Sequence, residues 1–313
     1  MLVEALDASG HPLSRSQLAR SFEAGEVRIG GRAVKASLRL DTAVEVELRL
    51  PRPAPLARAF PEALPLSVVF EDEWLLVVDK APGMVVHASA GHPRGTLVNA
   101  VLHHLGVESD ALPVLPGNGE LRPGLVHRLD KDTSGVMVLA KSAAIQTALA
   151  AQFAKHSIDR RYRAWVRGVP KFSEKRVQTT HARDPNDRRR FAPVRGAKRR
   201  AVTYFEVHEV FDGAAELTAT LETGRTHQIR MHARHVGHAL IADGLYGRPS
   251  KHPRVKIAAE ELGRHALHAE LLGFHHPARD ERMRFESPVP ADLQAMIEIL
   301  RAPEDSLDER APR

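Results

Sequence analysis

Residues 124–141 read GLVHRLDKDTSGVMVLAK. An apolar strand enters at Leu125, a polar run follows, and a second apolar strand leaves as residues 135–141. Charged side chains packed between two apolar strands mark the connection as a place where a site can sit. The plainer reading is a turn whose Asp130, Asp132, Thr133 and Ser134 bond the local backbone. Working outward, an alanine-rich helix is expected around 143–155, and WLLVVD (74–79), a turn at Lys80 to Gly83 and MVVH (84–87) read as a hairpin. RYRAWVR (161–167) alternates, with Tyr162, Ala164 and Val166 on one face and Arg161, Arg163, Trp165 and Arg167 on the other; ELTATLE (216–222) turns Leu217, Ala219 and Leu221 inward. Strands without a regular intervening helix argue against a doubly wound parallel sheet, so residues 66–300 read as one α+β unit.

A second stretch, TGRTHQIRMHARHVG (223–237), reads as a helix with Thr226 at its N-cap and Gly237 beyond its end, burying Ile229, Ala233 and Val236. Arg225 then stands at the positive end of the helix dipole, which is unfavourable unless an anion shares the site. The alternative is that Arg225 points to solvent.

Before residue 66 the pattern differs. Ser14 and Gln17 suggest a capping box opening a short helix through Phe22, followed by a hairpin at Gly30-Gly31 and a strand carrying Val44, Val46 and Leu48. This gives a small domain over 1–50. Five prolines within 51–65 mark a linker, and residues 301–313 lack apolar content and read as a disordered tail. The start has no basic n-region or apolar h-region and no stretch approaches a membrane span, so the chain is read as cytoplasmic.

With no cysteine among 313 residues, disulfides, thiolate zinc sites, iron–sulfur ligation and a cysteine nucleophile are excluded. The net charge of +6 is unevenly spread: residues 155–200 hold 16 Lys and Arg against 4 Asp and Glu, a net of +12, leaving −6 for the rest. Arginines make up 35 of the 45 basic residues, and their planar fork suits phosphate and stacks on bases, so a polyanionic partner is expected. RRRFAPVRGAKRR (188–200) reads as a flexible basic loop that orders on a phosphate backbone, with Arg188, Arg189 and Arg190 as candidate contacts; the alternative is a solvated loop. In the first domain Arg15, Arg20, Arg28 and Arg32 form a candidate phosphate-facing patch or, equally, a solvated face.

HRLDKDTSGVMVLAKS, RYRAWVRG, LETGRTHQIRMHARHVGH and HALHAELLGFHHP, in this order and spacing, resemble the RluA-type family of RNA pseudouridine synthases over roughly residues 66–300. Residues 13–48 resemble an S4 RNA-binding domain whose first helix is shortened. The resemblance implies a mixed, largely antiparallel sheet flanked by helices, a monomer, and isomerisation of uridines in structured RNA. Large-subunit ribosomal RNA is the favoured substrate; transfer RNA, or RNA binding without catalysis, is the alternative. It implies that Asp130 acts at the ribose to break the C1′–N1 bond and that Arg128 fills the space left by the flipped base. It further implies that Tyr162 packs against the base and assists proton removal from C5, and that Arg225 pairs with the catalytic aspartate. The chain departs from the family pattern at Ala239-Leu-Ile-Ala242-Asp243, where a Pro and a Gly are usual, and at Lys80-Ala81-Pro82-Gly83, where the Pro-Ala order is swapped.

An isomerisation of this kind needs neither a redox cofactor nor a metal, and none is expected. Two rival readings exist. Asp130-Lys131-Asp132-Thr133 fits the DxDxT nucleophile of Mg²⁺-dependent phosphatases, but His127 and Arg128 break the strand that motif requires. Of 18 histidines, His232 and His235 have zinc-like spacing, yet no acidic ligand pair accompanies them.

Overall fold

The computed structural model describes residues 15–38, 42, 44–48, 58–88, 94–115 and 121–303. The chain divides into two compact units, Met1–Ala57 and Arg58–Arg313. In the first, helix α1 (Arg15–Glu23) ends at Gly25 and leads into β1 (Val27–Ile29) and β2 (Arg32–Ala33). Gly30 and Gly31 join these strands with φ of 54° and 74°, the two left-handed residues that a tight hairpin turn demands. The third strand, β3, is limited to Glu47–Leu48 and pairs with β1, so only Leu48 of the expected alternating stretch lies in it. Ser14 of the expected capping box, residues 51–57 of the proline linker and residues 304–313 of the tail lie outside the described residues.

The second unit runs β4 (Ser67–Glu71), β5 (Leu75–Lys80), α2 (Leu97–Leu105), β6 (Ser134–Ala140), α3 (Ala143–Ala154), β7 (Asp159–Arg167), β8 (Glu174–Thr180), β9 (Ala182–Arg183), β10 (Phe191–Ala192), β11 (Arg200–Phe211), β12 (Ala214–Leu221), α4 (Gln228–His235), α5 (Pro253–Leu262), β13 (Leu267–His275), β14 (Arg282–Glu286) and α6 (Ala291–Arg301). One sheet, in the order β4-β5-β6-β13-β7-β12-β11-β8 with β14 also on β13, carries the unit. Every adjacent pair in it is antiparallel except β6 with β13. The α+β fold with a mixed, largely antiparallel sheet is therefore present.

Side-chain alternation sorts the core onto both faces. Leu76, Val78, Met137, Leu139, Tyr162, Ala164, Leu217, Ala219 and Leu221 pack on the face that carries α2. Leu75, Val77, Val136, Val138 and Leu149 of α3 pack on the other. Because β6 is covered on both faces, its sequence is a continuous apolar run rather than an alternating one.

Two local expectations are corrected. MVVH does not form a hairpin strand. The buried Lys80 ammonium donates to the carbonyls of Ala81 (2.7 Å), Met84 (3.0 Å) and Lys131 (3.0 Å), folding this segment beneath the 124–135 connection. The carbonyls of Val85 and Val86 then accept from the first amides of α2, Leu97 and Val98, so they serve as a helix cap instead of a sheet ladder. Residues 188–200 are likewise not a free loop: β9 and β10 pair as a short hairpin, and Arg200 already begins β11.

Gly135 fixes the parallel junction. Its φ is +120° and it lies opposite Ala269, where an added Cβ would stand 2.1 Å from the Ala269 carbonyl oxygen. Gly135→Ala is expected to cost more than about 2 kcal/mol, because strand backbone has to move rather than a side chain tip. Ala242 presents the opposite case, an alanine at φ 54°. Ala242→Gly is expected to raise stability by about 0.5–1 kcal/mol through relief of left-handed strain. Urea unfolding midpoints of the two variants against the parent chain test both.

Candidate active site

The 124–135 connection is held from far along the chain. His127 Nε2 accepts from the Val138 amide at 3.1 Å, and the Asp130 carbonyl accepts from the Thr133 amide at 3.1 Å, making a tight turn. Thr133 Oγ1 then meets His265 Nε2 at 2.8 Å, and Ser134 Oγ meets His268 Nδ1 at 3.0 Å. Arg264, in a double ion pair with Asp292, donates to the Asp132 carbonyl at 2.9 Å. The hydroxyls therefore do not serve the local backbone as the turn reading had it. They lock the connection to His265, just before β13, and to His268 within it, and the Asp130 side chain projects into a cleft.

The side chain that meets Asp130 is Arg230. Its Nη1 donates to Asp130 Oδ2 at 3.1 Å, while Nε and Nη2 make a bidentate pair with Asp243 at 2.8 Å each. Arg225 does not pair with Asp130: its Nε donates to the Arg200 carbonyl at 3.2 Å and its side chain is exposed at the cleft mouth. The sequence reading is corrected by five residues, and the cause is the start of α4. His227, not Thr226, is the N-cap, with a left-handed φ of 56°, so the chain enters the helix one residue later and swings Arg225 outward. Arg230 falls inside the first helical turn, facing the sheet.

Gln228 secures that entry. Its amide oxygen accepts from Thr223 Oγ1 (2.7 Å) and the Arg225 amide (3.0 Å), and its amide nitrogen donates to the Val202 carbonyl (2.9 Å) and Thr203 Oγ1 (3.0 Å). Thr203 also meets His232 Nδ1, whose Nε2 meets Thr179 Oγ1, so His232 is a structural bridge. Among the described residues no group of three or more His, Cys, Asp or Glu is arranged to hold a metal ion.

Burial opposes ionisation of Asp130, but His227 and Arg230 outweigh it and hold its pKa below the ordinary carboxylate value. Burial also lowers the His227 pKa against the pull of Asp130, so at neutral pH the permanent cation beside Asp130 is Arg230. Asp243, completely buried, is likewise lowered: Arg230 and the amides of Leu245 and Tyr246 overcome its desolvation. Burial raises the pKa of Tyr162, which keeps its proton; among the described residues its hydroxyl has no hydrogen-bond partner. Burial pushes His265 down to about 4 and His127 down to about 3, so both are neutral struts.

Arg128, Asp130, Tyr162, Arg225, His227 and Arg230 all line one open cleft, together with the apolar side chains of Leu129, Leu221, Ile229 and Leu267. The three other catalytic candidates from the sequence are thus all brought to the cleft of Asp130: Tyr162 buried within it, Arg128 and Arg225 exposed at its rim. Arg28 and Arg32 are exposed on the hairpin of the first unit, while the side chains of Arg15 and Arg20 lie outside the described residues. Arg188 is exposed; Arg189 and Arg190 both fold onto Asp187, at 2.9 and 3.2 Å. Sequence reading missed Arg230, His227, Gln228, Asp243 and Tyr246. The available signal was the Ala242-Asp243 departure, which lies where a buried arginine needs its second carboxylate.

The RNA pseudouridylate synthase family matches residues 74–235. A ribosomal large subunit pseudouridine synthase D of Zymomonas mobilis is 43% identical over 82% of this chain and 78% of its own length. Its counterpart in Xanthomonas campestris is 41% identical over 94% of this chain and 86% of its own. Among solved structures, human RNA pseudouridylate synthase domain containing 1 superposes with a TM-score of 0.57 at 22% identity, over 80% of this chain and 97% of that one, a likeness of fold. With the motifs, the sheet and these matches in agreement, the chain belongs to the RNA pseudouridylate synthase family.

Proposed function

We propose that this enzyme isomerises uridines of large-subunit ribosomal RNA, with Asp130 as the group that acts at the ribose. The observation that carries the reading is the Asp130 carboxylate held by Arg230 at 3.1 Å inside a cleft that Tyr162 also lines. Converting uridine to pseudouridine detaches uracil from C1′, turns it and rejoins it through C5. An ionised carboxylate is the group such a step needs, and Arg230 keeps it so. The target base must leave its stack at a cost of a few kcal/mol, and Arg128, exposed at the rim, is suited to fill the vacancy. Tyr162 serves as an uncharged wall for the base.

The names of the relatives support ribosomal over transfer RNA. The concentration of positive charge in residues 155–200 supports a phosphate-rich partner, with Arg183 and Arg188 exposed there. The first unit, with Arg28 and Arg32 on its hairpin, is read as an S4-like RNA-binding domain, and the protein as a cytoplasmic monomer.

Asp130→Asn is expected to abolish pseudouridine formation, mapped across total RNA, while the dissociation constant for ribosomal RNA changes less than about twofold; undiminished turnover sinks the assignment. Arg230→Lys cannot reproduce the planar bidentate pair with Asp243 and the third bond to Asp130 at once. It should lower kcat at least tenfold, roughly the effect of displacing one preorganised charge, and move the acid limb of the rate profile upward as burial of Asp130 goes less opposed. Arg225→Ala should act mainly on KM. Deleting residues 1–57 should weaken binding to full ribosomal RNA more than it slows turnover of a short RNA fragment.

A further inference from the structure

Among the described residues lining the cleft, His227 presents a ring nitrogen without a hydrogen-bond partner. His232 and His268 each use both ring nitrogens on protein partners. His227 Nδ1 lies 3.1 Å from the Tyr246 hydroxyl, whereas Nε2 has no hydrogen-bond partner among the described residues and faces Asp130 Oδ1 at 3.9 Å. Contacts of this length are common before substrate arrives and shorten afterward.

The partners are compatible with one assignment of the protons, which the proposal below adopts. The Tyr246 oxygen accepts from the backbone N–H of Phe191 at 2.7 Å, and its single proton is then available to His227 Nδ1. A neutral imidazole that accepts at Nδ1 carries its own proton on Nε2, the side toward Asp130. Both partners are neutral at working pH: burial pushes Tyr246 up to about 12 and His227 below its ordinary value.

The ring is also held in plane. Phe191 and Tyr246 stand edge-on to it at 84° and 88°, with centroids 5.7 and 5.6 Å away. The His227 backbone sits at φ 56°, a conformation a non-glycine residue keeps only where its surroundings impose it. Phe191 in turn belongs to the basic hairpin of β9 and β10. Its ring stacks on His181 at 4.5 Å, and the Arg183 guanidinium covers it at 4.4 Å. Arg183 also donates to the Arg188 carbonyl at 2.7 Å, tying the hairpin tip to the same side chain.

We propose that His227 is a positioning residue that orients the Asp130 carboxylate through its Nε2–H, and that the basic β9–β10 hairpin sets this orientation through Phe191 and Tyr246. An RNA strand held on Arg183 and Arg188 is thereby coupled to the carboxylate that acts on its uridine. The proposal rests on the reading of Asp130 as the catalytic group.

The test is single-turnover pseudouridine formation on an unmodified transcript of large-subunit ribosomal RNA, with RNA dissociation constant and thermal midpoint measured alongside. His227→Gln restores an amide N–H near the Nε2 position and should keep at least about a third of the rate. His227→Asn tolerates the left-handed backbone and reaches Tyr246 but not Asp130, so it should fall about 10- to 100-fold; Tyr246→Phe should fall about tenfold. RNA affinity should stay within about twofold throughout. Equal losses in the Gln and Asn variants, an unchanged rate in Tyr246→Phe, or losses confined to affinity or thermal midpoint overturn the proposal. Asp130→Asn separates the two readings. If it is inactive while the His227 and Tyr246 variants are normal, only this inference falls; if it turns over normally, the catalytic reading falls with it.

Discussion

A single guanidinium shared by two carboxylates governs the site. Arg230 presents donors along two edges of its plane: Nε and Nη2 go to Asp243, and Nη1 remains for Asp130. The triad carries a net charge of −1, and its two carboxylates differ in surroundings. Asp243 is sealed and satisfied by two backbone amides besides, while the Asp130 side chain is 15% exposed. The surplus negative charge therefore resides where solvent or substrate can reach it. A lone buried carboxylate would take up a proton to escape desolvation, and a lone buried arginine would be just as costly. Each group is tolerable because the other two are in place.

Much of the surrounding order serves to keep that plane fixed. Gln228, with all four of its amide hydrogen bonds made, holds the entry to α4, and the left-handed Ala242 turns the chain so that Asp243 faces Arg230. Arg230 also lies over the Tyr246 ring at 5.2 Å, which ties the ion pairs to the aromatic cluster around His227. Three histidines follow one pattern: His232, His265 and His268 are buried against hydroxyls. Neutral imidazoles joined to Thr and Ser give this cysteine-free interior its long-range polar ties.

What could be read from sequence and what could not divides along a physical line. The strands now seen as β6, β7 and β12 were legible because their side chains alternate or run apolar over enough residues, and Tyr162, Leu217, Ala219 and Leu221 lie on the face that spacing predicts. Asp130 and Tyr162 were legible as candidates through their motifs, and they line the same cleft. MVVH misled because its apolar content fits a strand equally well; the deciding event is the Lys80 ammonium gathering three carbonyls from two segments, which no local pattern encodes. The exchange of Arg225 for Arg230 has the same origin. Two arginines five residues apart differ only in which meets a carboxylate, and that depends on Asp243 and on one left-handed residue at the start of α4. Local propensity reads elements; it does not read which charge is buried with which.

The one parallel junction of the sheet has a consequence for the order in which the protein becomes competent. Thr133 and Ser134 are gripped by His265 and His268, and Gly135 meets Ala269, so the loop bearing Asp130 is clamped by chain made more than a hundred residues later. Contacts this distant in sequence form late, since their loop-closure entropy has to be met before they stabilise anything. During synthesis the antiparallel β4–β5 ladder and its partner β6 can assemble early, but the clamp waits for β13 to leave the ribosome. The loop that carries Asp130 is therefore completed only when the whole domain has closed, and its order is the last to be set although its residues lie in the first half of the chain.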